Sequence, residues 1–349
     1  DVFVWYRILG GVGVGIASMI TPMFISEIAP ASIRGRLVSF YQFAIVFGIF
    51  VIYFVNYFIA RQGSEIWNVE TGWRWMFASE AMPALIFLGF LIVVPESPRW
   101  LIAKQRPEKA RGILQRIFGE QADTQLADIQ STIGREAGSW KMLLQPRVLK
   151  IVLIGVVLAV LQQAVGINVI LYYAPEIFKT LGSDINAALL QTIVIGVFNM
   201  GFTIVAMVKV DQLGRRPLLL VGSLGMAVCL LTIGLLAFFQ ITSVFSLLLI
   251  LGYISFFALS VGPVVWIILS EIFPTSIRGR AMSIATIFLW ATNYLISQTF
   301  PMIDENPWLV QRFHHGFSFW LYAAMCILMF LFVLKFIPET KGKTLEDIE

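Results

Sequence analysis

Four side chains capable of uncharged hydrogen bonding fall within eleven positions: Gln162, Gln163, Asn168 and Tyr172, with Gly166 between them. A carboxamide donates and accepts at once and brings no charge. That chemistry suits a neutral polyol such as a sugar, whose ring also has an apolar face for an aromatic side chain. Asn168 and Tyr172 are spaced i, i+4, which places them on one helix face, and Gly166 lets the helix bend. The other reading of these residues is amide contacts that hold helices together in lipid. Taken singly, Gln42 reads that way, and Trp290, Asn199 and Asn293 read as structural. Gly262-Pro263 predicts a helix break ahead of Trp266, which frees this indole to face a cavity rather than anchor at an interface. His, Cys and carboxylates do not cluster, so no enzyme, metal or cofactor is expected. Cys229 and Cys326 lie in apolar runs and read as buried thiols.

The elements carrying these residues are set by composition. Of 349 residues, 58% are hydrophobic and 13% charged, and Phe alone (29) outnumbers Lys and Arg together (25). One soluble core could not cover that much apolar surface, and a disordered chain would be polar. Lipid is the solvent that fits. Uncharged runs occupy 8–26, 37–60, 75–95 (interrupted by Glu80), 151–175, 185–208, 217–270, 281–303 and 313–334. A spanning helix needs about 20 residues. The run 217–270 therefore holds two, turning near 240–243, and nine helices are expected. Gln162 and Gln163 fall near mid-membrane. Alternate loops contain twenty of the 25 basic residues, which predicts that 25–36, 96–150, 209–216, 271–280 and the C-terminal tail face the cytoplasm. With the basic residues so placed, the +4 charge marks no nucleic-acid surface.

Two stretches are near copies: 26–36 (SEIAPASIRGR) and 270–280 (SEIFPTSIRGR), 244 residues apart. Pro95-Glu96-Ser97 and Pro338-Glu339-Thr340 repeat at 243. Both members of each pair lie on the same side, so the halves are parallel repeats of six helices. Only three helices precede Pro95. The expectation is a twelve-helix architecture lacking about three at its start. The divisions are 1–95, three helices of one bundle; 96–148, a linker with short amphipathic helices; 149–337, a six-helix bundle; and 338–349, a tail. Glu27, Arg34, Glu96, Arg99, Asp211, Arg215, Glu271, Arg278 and Glu339 all sit at helix ends on the cytoplasmic side. They read either as solvated pairs worth little or, because they are duplicated, as a symmetric latch. Arg7 and Glu80 are embedded in spans at similar depth, which makes them a plausible pair with a functional role.

Asp211–Pro217 resembles a loop signature of the major facilitator superfamily. Pro95-Glu96-Ser97-Pro98-Arg99-Trp100, Pro338-Glu339-Thr340-Lys341-Gly342 and Gln162-Gln163 followed by Gly166-Ile167-Asn168 resemble its sugar-porter family along the whole chain. The resemblance implies an all-α membrane fold of two six-helix bundles rocking about one mid-membrane sugar site. The transporter would be a bacterial inner-membrane monomer carrying a pentose or hexose, xylose-like, with protons. Uncoupled facilitation or non-transporting sugar sensing are the alternatives. The resemblance puts sugar ligands at Gln42, Gln162, Gln163 and Asn168, packs Trp266 on the sugar, and gives Arg7 a role in proton coupling. It places glutamines in proton-coupled members where this chain has Ile49 and Leu289. Each loss leaves a sugar hydroxyl unpaired, at about 1–3 kcal/mol.

Overall fold

A computed structural model describes residues 2–30, 32–133, 140–180, 185–241, 244–274 and 277–341. The described residues are almost entirely helical. Helices α1 (Val2–Ile28), α2 (Arg34–Ala60) and α3 (Glu65–Val93) come first. Glu80 interrupts α3, because the Pro83 ring opposes the carbonyl four residues back and removes a helix N–H. Three short helices follow: α4 (Pro98–Ala103), α5 (Pro107–Phe118) and α6 (Ala122–Ile133). Their core is Leu114, Ala122 and Ile129, and Arg111 bonds Asp123 through Nε (2.7 Å) and Nη2 (2.9 Å).

The second half contains α7 (Pro146–Ala164), α8 (Ile167–Thr180), α9 (Ile185–Leu213), α10 (Arg215–Phe238) and α11 (Val244–Phe256). A π-helical turn, Phe257–Val261, joins α11 to α12 (Gly262–Ile272). Then come α13 (Arg278–Asp304), the short α14 (Pro307–Phe313) and α15 (Gly316–Phe336). Helix α10 packs along α15, α7 along α13, and α2 along α9. Apolar side chains lie exposed along α1 and α3. Cys229 and Cys326 are buried free thiols, as expected.

Among the described residues, eight helices are long and apolar enough to cross a membrane. The ninth expected span forms α13, with 27 residues and about 40 Å of rise. Ser283, Thr286, Thr292, Asn293 and Gln298 dilute its apolarity, and it is held instead by packing against α7 and α1.

The duplication is preserved in the geometry. Helices α2 and α13 each have 27 residues and begin and end 244 positions apart. Both start after an isoleucine of matching backbone, Ile33 (φ −126°, ψ 7°) and Ile277 (φ −122°, ψ −2°). The Ser39 hydroxyl donates to the Gly35 carbonyl, and the twin Ser283 donates to Gly279. The Ser97 hydroxyl donates to Glu27 at 2.6 Å, and Thr340 donates to Glu271 at 2.7 Å.

Candidate functional site

Helix α7 stops at Ala164 and α8 begins at Ile167 because Gly166 takes φ +88°, a conformation open to glycine. The Gly166 N–H reaches back only three residues, to Gln163. The expected bend is therefore a break in the helix between Gln163 and Asn168. These two side chains meet across it, with Asn168 Nδ2 donating to Gln163 Oε1 at 2.6 Å. Gln162 is 2% exposed, and its Nε2 donates to the Val261 and Gly262 carbonyls, both at 3.3 Å.

The expected break at Gly262-Pro263 does not occur. The helix widens instead: Pro263 has no N–H, and the Gly262 N–H reaches the Phe257 carbonyl five residues back. The chain stays helical into α12. Trp266, 4% exposed, meets the Tyr41 ring edge-on at 5.3 Å.

Gln42, Gln162, Gln163, Asn168, Asn199, Trp266 and Trp290 line one cavity of about 80 Å³. Its walls also include Tyr41, Ile45, Val46, Ile49, Phe257 and Leu289. Gln162 Oε1, Asn199 Oδ1 and Trp290 Nε1 are buried with no protein partner among the described residues. Buried polar atoms need partners, and two acceptors facing one donor match a hydroxylated neutral molecule. Tyr172 and Asn293 lie outside this lining. Tyr172 sits one turn further along α8 and is 56% exposed, and Asn293 accepts from Ser297 one turn beyond Trp290. Tyr41 and Phe257 were not legible as wall residues, because aromatic residues on apolar helices give the same pattern when they face lipid.

The charged set converges at the far end of α9, α10 and α12. Arg215 Nη2 contacts Asp211 Oδ1 (3.0 Å) and Glu271 Oε1 (3.2 Å), with Arg215 and Glu271 side chains each 3% exposed. Glu339 accepts from the Arg215 and Arg216 backbone N–H groups (2.9 and 3.1 Å), capping α10 where Gly214 takes φ +89°. Asp211 also accepts from the Arg36 N–H at 2.9 Å, which ties the latch to α2. Arg34 attracts Glu271 electrostatically. Arg278 is buried and donates to the Phe273 carbonyl. Arg99 is half-buried nearby in the chain, and Glu96 is exposed. The network is therefore not a set of pairs within each half, since one arginine serves two carboxylates. Arg7 and Glu80 do pair, at 3.0 Å, with about half of each side chain exposed.

A helical bundle with a broken helix at a polar cavity and a buried charge network at one end is the architecture of a membrane transporter. The family model for sugar (and other) transporters matches residues 1–349, and the chain belongs to that family. It is 53% identical to the D-xylose-proton symporter of Escherichia coli over 99% of its length and 71% of the relative's. It is 43% identical to the glucose facilitated diffusion protein of Zymomonas mobilis, over 100% of the chain and 74% of that protein. A solved structure of a major facilitator superfamily proton:xylose symporter bound to 6-bromo-6-deoxy-D-glucose superimposes with a TM-score of 0.91. That match is 52% identical and covers 99% of this chain and 73% of the other. The fold is thus the major facilitator fold of an integral membrane protein.

Proposed function

We propose that this chain carries a monosaccharide across a bacterial inner membrane by alternating access, driven by proton import. The observation that carries the reading is the cavity in which five amides and two indoles converge, three of their buried polar atoms lacking a partner among the described residues. A pentose or hexose supplies donors for Gln162 and Asn199, an acceptor for Trp290, and an apolar ring face for Trp266. The cavity is far smaller than the ~300 Å³ at which small-molecule pockets begin, so the walls must part to admit a ring. Residues 1–95 and 149–337 are the moving bodies, 96–148 is their cytoplasmic linker and 338–349 a cytoplasmic tail. The Arg215 network acts as the cytoplasmic latch. The Arg7–Glu80 pair is the site where the proton cycle acts. The name of the E. coli relative supports proton coupling and xylose-like substrates.

Uptake of labelled xylose and glucose by vesicles containing the complete transporter tests this. A pH gradient, acid outside, should accelerate accumulation. One feature favours facilitation instead: α2 presents only aliphatic Ile45, Val46 and Ile49 beyond Gln42, and the Zymomonas relative is a facilitated diffusion protein. Uptake indifferent to the gradient would select that reading, and no uptake at all would end both.

A further inference from the structure

The break between α7 and α8 is held by two tyrosines outside the cavity. Breaking a helix leaves carbonyls without their donors four residues on. At Val165 the vacated role is filled from α11: the Tyr253 hydroxyl, on a side chain 0% exposed, donates to the Val165 carbonyl at 2.8 Å. From α15, the Tyr322 ring covers the next residue, and a Cβ placed on Gly166 would fall 2.7 Å from it. The residues on either side of this clamped pair, Gln162, Gln163 and Asn168, supply most of the amides of the cavity.

We propose that Tyr253 and Tyr322 are positioning residues for sugar binding. They fix the angle at which α8 leaves α7, and with it the relation of Gln162 and Gln163 to Asn168. Neither tyrosine lines the cavity, so neither contacts the sugar. Their effect is preorganisation: amides already aligned lose less freedom when the ring arrives. Both tyrosines belong to helices packed on α10, which bears the latch arginine. The clamp therefore ties the α7–α8 junction to the same packed group of helices, at one fixed point within the second half.

This inference rests on the transport reading above. The test uses the complete transporter in vesicles and two variants, Tyr253→Phe and Tyr322→Leu. Tyr253→Phe removes one oxygen and retains the ring, and Tyr322→Leu retains apolar volume while uncovering Gly166. Sugar titration of tryptophan fluorescence gives half-saturation, and equilibrium exchange gives the maximal rate. Each variant should raise half-saturation about tenfold, with exchange at saturating sugar unchanged or faster and thermal stability little altered. A residue needed only for folding would lower stability and maximal rate together and leave half-saturation unmoved, and that result overturns the proposal. Should Tyr253→Phe fail to fold, Tyr322→Leu decides alone. If the unmutated protein shows neither saturation nor exchange with xylose or glucose, the transport reading has failed rather than the clamp.

Discussion

Replacing Arg215 by Met should open the cytoplasmic side. In the closed state the guanidinium serves Asp211 and Glu271 at 3.0 and 3.2 Å, with 3% of its side chain exposed. Taking away one partner of a buried ion pair costs about 3–5 kcal/mol, because the remaining charge is left without compensation. Glu271 keeps the Thr340 hydroxyl at 2.7 Å and the nearby Arg34 charge, so the cost falls below that range, to about 2–3 kcal/mol. The penalty is confined to the closed state, since water solvates Glu271 once the latch parts. At about 1.4 kcal/mol per tenfold, the closed-to-open ratio should fall roughly 30- to 150-fold. A cysteine at Ser283, which meets Met19 between α13 and α1, reports the opening through labelling from the cytoplasmic side. The native Cys229 and Cys326 are buried and give little background. Labelling should rise in Arg215→Met and fall back when Glu271→Gln is added, because the stranded charge is then gone. Equal labelling in all three proteins would refute the argument that this arginine holds the latch.

Gln162→Ala should weaken sugar binding by about 1–3 kcal/mol in calorimetric titration, since it removes a ligand and uncovers two carbonyls. Glu80→Gln should impair gradient-driven uptake more than equilibrium exchange, because exchange skips the proton step. Equal losses would remove Glu80 from coupling. Gly222→Ala drives a methyl into the Ser260 side chain and within 3.1 Å of the Phe256 carbonyl beside the π-turn. It should cost about 1–3 kcal/mol, read as a lower melting temperature in detergent. In the linker, the Arg111 guanidinium holds the Asp123 carboxyl below its ordinary range. That pair therefore supports α5–α6 at neutral pH and through mild acid, and fades only as pH falls through the lowered value. Hydrogen exchange of the two helices should show protection lost in that acid range and not above it.

Much of the fold is legible because charges bracket apolar runs, and because the 26–36 and 270–280 copies predict helices that begin and end in register. A disturbance at Gly166 is legible as a glycine amid amides, but as a bend and not as the break that φ +88° makes of it. The π-turn is not: proline signals a disturbed helix, and sequence alone does not distinguish a kink from a widened turn. The charged residues at these helix ends are legible as a group but not as a network. Its wiring depends on α9, α10 and α12 converging on Arg215, and no spacing along the chain encodes that. Tyr172 illustrates the limit of periodicity. Its i, i+4 relation to Asn168 is real, but the cavity ends before the next turn.

The dry latch has a consequence for how transport depends on the surrounding solution. Arg215, Glu271 and Arg278 are each 3% exposed or less, so opening must draw water onto groups that hold almost none when shut. Osmolytes excluded from protein surfaces penalise newly wetted area. If this network is the cytoplasmic latch proposed above, a crowded or hyperosmotic cytoplasm would favour the shut form and slow the release of cargo into it. Turnover would then track water activity inside the cell, a dependence set by the depth at which the Arg215, Glu271 and Arg278 side chains are hidden.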